Sequence, residues 1–214
     1  MSLTPSPTTQ PYPVKPGMET EDAKEQLRRA IRAHRTSRSA RLRAEAAVAF
    51  ADVIASVPEV REATCVAAYA ARATEPNTGP LLELLAARGA RVLLPVLGTG
   101  LARDWAEYDG PEDLLERAPG RPPEPSSPAL GADAVSAASV IIAPALAVDS
   151  RGVRLGQGGG WYDRVLAHAH PEARVLAVVF PEEFYDATVR PLPVMEHDVL
   201  VHGVATTTDW RWLD

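Results

Sequence analysis

The stretch TCVAAYAARATEPNTGPLLELLAARGARVLLPV, Thr64 to Val96, decides the fold. It opens on a short apolar run, Thr64–Ala70, which reads as a buried strand. Thr78 then stands ahead of Pro80 as a helix cap, Leu81, Leu82, Leu84 and Leu85 fill the helix, and Gly89 closes it. Ala90–Val96 reads as a second buried strand. Strand, helix, strand at this spacing is a βαβ unit, and a helical crossover is what parallel neighbours require. Parallel strands are covered on both faces. The expected fold is therefore α/β and three-layered, a mostly parallel sheet flanked by helices.

Downstream, Ser139–Ala143, Arg174–Phe180 and Leu200–Thr206 repeat the buried-strand pattern. A helix is predicted over Gly160–His168, and the proline-dense run Arg121–Pro128 reads as a loop. Upstream, the spacing predicts an N-terminal helical pair. Thr20 caps the first helix, and Glu21 and Asp22 lie at the positive end of its dipole. Ala23, Leu27, Ile31 and His34 share one face of it, and Lys24, Arg28 and Arg32 the adjacent face. The second helix runs from Ser39 to Val57, with Leu42, Ala46, Phe50, Val53 and Val57 at helical spacing, and Pro58 stops it. Residues 1–19 hold Pro5, Pro7, Pro11, Pro13 and Pro16 among small polar side chains. Such a segment buries too little surface to offset its ordering entropy, so a flexible tail is expected, with 20–214 as a single α/β domain.

A chain of 214 residues, 46% hydrophobic and 23% charged, has the composition of an ordinary soluble globular protein. Collagen, coiled coil and wholly disordered chains are excluded. The longest apolar run, near Val140–Val148, is broken by Pro144 and falls short of the roughly 18 residues that span a bilayer. Met1–Gln10 carry neither a basic start nor an apolar stretch, so neither a secretory signal nor a membrane partner is expected. The single cysteine, Cys65, makes no internal disulfide, which fits a cytoplasmic location. Charge is unevenly spread. Eight basic residues and one acid lie between Lys24 and Arg43, so the remainder of a chain of net charge −6 carries −13. A basic segment on an acidic protein points to a local anion site; a solvated helix face is the alternative of equal standing.

The densest chemistry is in Ala143–Leu166, APALAVDSRGVRLGQGGGWYDRVL. The chain leaves a strand, passes Gly156, Gly158, Gly159 and Gly160, and enters a helix. Glycines let backbone approach a ligand closely, and the free N–H groups at a helix start form a cradle for phosphate. A mere glycine turn is the bland alternative. No Gly-Lys-Ser/Thr follows, so this is not a Walker A loop, and the glycines come too late after the strand for a dinucleotide fingerprint. Arg154 precedes them and Asp163 follows. A guanidinium holds phosphate oxygens bidentately, and a carboxylate beside phosphates holds Mg²⁺.

The stretch Asp149-x-x-Gly152-x-Arg154-Leu155-Gly156-x-Gly158-x-Gly160-x-Tyr162-Asp163 resembles the signature of 5-formyltetrahydrofolate cyclo-ligase, also called methenyltetrahydrofolate synthetase. The resemblance extends over nearly the whole chain after the tail. Lys24-x-x-x-Arg28, with Arg35 further on, is similar to the family's basic helix, and Tyr69 with Glu75-x-x-Thr78 and Leu81-Leu82 to its substrate segment. Arg91–Pro95, Glu124-Pro125 and Pro193-x-x-x-His197-Asp198 follow in the family's order. The resemblance implies an enzyme that uses MgATP to phosphorylate the formyl oxygen of 5-formyltetrahydrofolate. The folate's N10 then closes the ring, giving 5,10-methenyltetrahydrofolate, ADP and phosphate.

The resemblance also gives residues roles. Lys24, Arg28, Arg154, Leu155, Gly156, Gln157, Gly158, Gly159, Gly160, Trp161 and Tyr162 match the ATP-binding positions, with Arg154 also stabilising the transferring phosphoryl group. Asp163 and Asp198 match two Mg²⁺ ligands, and Ala70 and Glu75 the folate-binding positions; Gln157–Trp161 faces the pterin as well. The chain departs from the pattern at Val148, where phenylalanine is common, at Gly159, where lysine is common, and at Trp161 in place of tyrosine. Phe180–Asp186 lacks an expected glutamine. A monomer without nucleic-acid partners is expected. A catalytically inactive folate- or nucleotide-binding homologue is the alternative. RNA binding through the basic helices is a third reading, against which stands the lack of stacking aromatics there.

Other residues carry no assignment. Cys65 reads as core. His168, His170, His197 and His202 lack zinc spacing, and His197 serves to orient the loop of Asp198. Trp210 and Trp212 read as docking residues.

Overall fold

The computed structural model describes residues 15–97 and 102–213. Its centre is a seven-stranded sheet in the order β10-β9-β7-β4-β1-β2-β3. The strands are β1 (Cys65–Ala67), β2 (Arg91–Leu97), β3 (Arg103–Glu107), β4 (Val140–Pro144), β7 (Arg174–Val178), β9 (Gly203–Ala205) and β10 (Trp210–Trp212). The five inner strands run parallel, and both edges, β3 on β2 and β10 on β9, are antiparallel. The βαβ unit forms as expected, with α4 (Gly79–Ala87) between β1 and β2 and Cys65 opposite Arg91. The sheet is mostly parallel and helix-covered, as the sequence predicts.

Period-two alternation sorts the strand side chains onto two cores. Val66, Val92, Leu94, Val140, Ile142, Leu176 and Val178 face Phe50 and Ile54 of α2 (Ala40–Ala55) and Leu81 and Leu85 of α4. Ala67, Leu93, Ile141, Ala143, Val175 and Ala177 face the other way, against Val165 of the short α5 (Trp161–Val165) and Leu166. Cys65 belongs to that second core, where burial pushes its thiol up, so it is a packing residue as expected.

The first helix serves neither core. α1 (Thr20–Thr36) sets Leu27 and Ile31 on Leu146, Ala147, Val153, Leu155, Tyr185 and Leu192, around a second sheet of three strands. These are β5 (Ala147–Asp149), β6 (Arg154–Leu155) and β8 (Phe184–Tyr185), in the order β6-β5-β8. The helices α1 and α2 follow one another in the chain but pack on different sheets.

Several boundaries differ from expectation for physical reasons. Glu19, not Thr20, is the cap residue of α1, and its carbonyl takes the Ala23 N–H. His34 is exposed and Arg35 is buried in its place, because Arg35 finds a carboxylate described below. Ser39 does cap α2, accepting from the Leu42 N–H. Pro58 does more than stop that helix: it opens α3 (Pro58–Glu62) at a first-turn position where its missing N–H costs nothing. Thr78 spends its hydroxyl on the Tyr69 carbonyl, and Asn77 accepts the Gly79 N–H at 2.9 Å instead. The helix expected over Gly160–His168 is α5 followed by a 3₁₀ turn, Leu166–His168. Regular strand pairing ends earlier than expected, at Ala67, Val178 and Ala205. Trp210 and Trp212 form the edge strand β10; Trp210 donates to Ser56 at 3.1 Å and Trp212 lies against the Arg174 guanidinium. Residues 1–14 of the expected tail lie outside the described residues, and Lys15–Met18 closes a turn.

One glycine fixes how the small sheet meets the main body. Gly152 has φ of +80°, and a Cβ on it would lie 2.5 Å from the Val201 carbonyl oxygen. Only a residue without a side chain allows that approach, across which Val201 N–H donates to Gly152 O at 2.9 Å.

Candidate functional site

A cavity of about 450 Å³ opens at the carboxyl ends of β1, β2 and β4, where ligands of open parallel sheets bind. Its volume is that of a ligand pocket, within the usual ~300–1,000 Å³. Each wall comes from a different element. Glu21, Lys24 and Arg28 come from α1, and Tyr69 and Ala70 from the chain leaving β1. Pro95 and Val96 come from β2, and Pro144 ends β4. Arg121, Pro122, Pro123 and Glu124 come from the proline loop. The floor is Arg154, Leu155, the turn Gly156–Gly160, and Trp161, Tyr162 and Asp163, with His197 and Asp198 on the remaining side. Every residue that the sequence singled out for a site lines this one cavity.

Lys24 and Arg28 sit one turn apart on the buried side of α1, as their i, i+4 spacing requires. Lys24 is ion-paired with Asp198, whose carboxylate also accepts the Met195 N–H at 2.7 Å. Burial opposes charge on Asp198, but Lys24 and that N–H outweigh it and hold the carboxyl below its ordinary value. Arg28 donates to the Gly156 carbonyl at 3.1 Å and to Glu21 at 2.8 Å. Gly158, at φ +99°, lies against the Arg28 guanidinium, and a Cβ there would sit 3.4 Å from it. The glycine thus lets the loop close onto the helix.

Arg154, with a side chain 3% exposed, pairs with Asp163 at 2.7 Å, and its Nε has no partner among the described residues. Asp163 also lies 3.5 Å from the Val199 N–H, so the loop carrying Asp198 passes directly beside it. Two acids 35 positions apart in sequence thus reach one side of the cavity, each against a cation. Among the described residues, no three of His, Cys, Asp and Glu gather as a metal-binding group.

On the folate side of the sequence expectation, Glu75 is buried beside Tyr69 and Ala70. It accepts the Gln157 amide at 2.8 Å and the Arg72 N–H at 2.9 Å. The Tyr69 hydroxyl donates to Pro76 O at 2.8 Å. Tyr162 has a buried hydroxyl with no partner among the described residues; burial, with Glu75 nearby, pushes that phenol far up. Trp161 stands edge-on to Trp105 and Tyr162, with ring centres 5.1 and 4.9 Å away, and keeps part of its surface toward the cavity.

The basic segment resolves into specific partners. Besides Lys24 and Arg28, Arg32 holds Gln157, Arg35 pairs with Glu183 at 2.6 Å, and Arg38 pairs with Glu182. Arg43 donates to the Arg38 carbonyl, while Arg29 and Arg41 form only i, i+4 pairs on the surface. The solvated-face reading fits those last two and no others. Arg72, Arg121–Pro123 and Glu21 were not legible as site residues. Glu21 alone carried a signal, lying one turn ahead of Lys24 and two ahead of Arg28.

Comparisons with known proteins bear on the family. The model of the 5-formyltetrahydrofolate cyclo-ligase family matches residues 20–207. The chain belongs to that family. A 5-formyltetrahydrofolate cyclo-ligase of Mycolicibacterium smegmatis is 42% identical over 146 residues, covering 66% of this chain and 72% of the relative. The Escherichia coli K12 protein of the same name is 32% identical over 159 residues, covering 72% of this chain and 85% of its own. The Aquifex aeolicus 5,10-methenyltetrahydrofolate synthetase structure superposes with a TM-score of 0.74 at 24% identity, covering 89% of this chain and 92% of that one. It shows the shared fold, as does a Mycoplasma pneumoniae 5,10-methenyltetrahydrofolate synthetase, with a TM-score of 0.64 at 15% identity over 85% and 96%. In this cyclo-ligase family member, no helix among the described residues is long and apolar enough to cross a membrane.

Proposed function

We propose that the protein converts 5-formyltetrahydrofolate to 5,10-methenyltetrahydrofolate at the expense of ATP, in the cavity described above. Family membership supports the activity. The observation that carries the ATP-dependent mechanism is the convergence on one cavity of a glycine loop, three cations (Lys24, Arg28, Arg154), two carboxylates (Asp163, Asp198) and the separate Glu75 segment.

An amide-like formyl oxygen is a very poor leaving group, and phosphorylation corrects this. The formyl oxygen attacks the γ-phosphorus and ADP leaves. The N10 nitrogen then adds to the formyl carbon and gives up its proton, and the C–O bond breaks with phosphate as the leaving group. The protein's part is positioning and charge neutralisation, which is most of what phosphoryl transfer needs. Lys24 and Arg28 hold the phosphates from α1, and the amides of Gly156–Gly160 cradle them. Arg154 follows the equatorial oxygens of the transferring group; its Nε, without a partner among the described residues, is a donor still to be satisfied. Glu75, with Ala70 backbone beside it, holds the folate.

Asp163 and Asp198 would hold Mg²⁺. Two carboxylates, with no third His, Cys, Asp or Glu gathered with them among the described residues, fit an ion that keeps waters and takes its other ligands from phosphates. When bound, the ion neutralises charge on the phosphates. Each acid would then be shared between the ion and its cation, Arg154 or Lys24, whose remaining N–H donors face the nucleotide.

The test is turnover of the purified protein with MgATP and 5-formyltetrahydrofolate. Growth of the methenyl product's near-ultraviolet absorbance is expected, dependent on ATP. Absence of any change with both the monoglutamate and polyglutamate substrates would sink the proposal. The same assay separates it from an inactive binding homologue.

A further inference from the structure

The glycine loop has one side chain by which the rest of the protein can grip it. Between Leu155 and Trp161 the sequence is Gly156-Gln157-Gly158-Gly159-Gly160, and glycine backbone has more conformations to lose than any other. A loop of this composition does not define its own shape, so its placement depends on external contacts.

Arg28 holds the Gly156 carbonyl at 3.1 Å and Arg164 the Gly159 carbonyl at 2.7 Å, while the loop's one side chain, Gln157, is also held from outside the cavity lining. Arg32 is absent from the cavity lining; it lies one turn beyond Arg28 on α1. Its Nη2 donates to the Gln157 carbonyl at 2.8 Å and its Nε to the Gln157 side-chain oxygen at 3.1 Å. The third nitrogen is 3.8 Å from Glu25. The other end of the same side chain, the Gln157 amide, donates to Glu75 at 2.8 Å. A continuous chain, Arg32 to Gln157 to Glu75, therefore ties α1 to the glycine loop and the loop to the segment expected to hold folate. A planar fork meets two acceptors of one residue at once, which a lysine ammonium on a flexible stem does not reproduce.

We infer that Arg32 is a positioning residue for ATP, acting through Gln157 to set the glycine loop in its phosphate-binding shape. This rests on the ATP-dependent reading above and deepens it. Arg32 lies outside the cavity lining, so its loss is expected to act on nucleotide binding rather than on the chemical step.

The experiment measures calorimetric binding of an unreactive ATP analogue with Mg²⁺, and steady-state kinetics, for wild type, R32A and R32K. Arg32 is on a half-exposed helix face, so both variants are expected to fold, with thermal unfolding as the control. Loss of two hydrogen bonds from a charged donor is expected to weaken analogue binding about tenfold in R32A. KM for ATP should rise in parallel while kcat stays within about threefold. R32K, which keeps the charge without the fork, should recover only part of the loss. Analogue binding by R32A within about twofold of wild type overturns the inference. Full recovery in R32K does so too, because Arg32 would then act as a distant charge. A wild-type protein that binds no analogue is a different result, one that removes the ATP-dependent reading itself and this inference with it.

Discussion

Arg154 is the residue on which the chemistry turns. It is almost wholly enclosed, held by Asp163 on one side and beneath the Tyr162 ring, 5.7 Å from its centre, on the other. A cation fixed in this way reorganises little as charge develops, and preorganised donors of this kind contribute chiefly in the transition state. Arg154→Ala is expected to lower kcat by about 10²–10³-fold, with ATP affinity changing by less than about tenfold. Steady-state kinetics beside analogue binding checks this; equal losses in both would make Arg154 a plain binding residue. At this scale the site was legible, because Arg154, the glycines and Asp163 are contiguous in sequence and their chemistry is local. Arg35 was not. Its burial depends on Glu183, 148 positions away, and no spacing within α1 distinguishes it from His34.

Among elements, α1 matters most, since it is both wall and clamp. Its apolar stripe packs on the small sheet, and its cations reach across to Ala145 just beyond β4, the glycine loop and the Asp198 loop. The Lys24–Asp198 pair is its fastening at the cavity end, and it is pH-sensitive. The Asp198 carboxyl is held below its ordinary value in the folded protein, so the pair's stabilisation is full above the unfolded aspartate pKa of about 3.9. It is lost as pH falls through the lower folded value. Asp198→Asn is therefore expected to melt at a lower temperature than wild type between about pH 6 and 8, with the gap closing below about pH 4. Thermal scans across that range check it, and a gap that widens in acid would contradict the assignment. The elements that the sequence hid are the short ones. β6 and β8 hold two residues each and β10 three, too few to carry a period, while β3, of five residues, is an antiparallel edge strand of mixed burial and shows no apolar run. The inner parallel strands were visible because burial on both faces makes them unbroken apolar runs.

For the whole molecule, the architecture brings distant segments to one end of a parallel sheet. Lys24, Glu75, Arg154 and Asp198 span most of the described chain and meet at a single cavity. Residue spacing alone could not place Asp198 beside Asp163; the chain folds back through Gly152 and Val201 to do so. The central claim is that this convergence passes a phosphoryl group to the formyl oxygen. The most direct measurement starts from 5-formyltetrahydrofolate labelled with ¹⁸O at that oxygen and follows the label by mass spectrometry after turnover with unlabelled ATP. The label is expected in the released inorganic phosphate, one ¹⁸O per methenyl product formed. Unlabelled phosphate, with the ¹⁸O released as water, would show that the oxygen never bonded to phosphorus and would contradict the account.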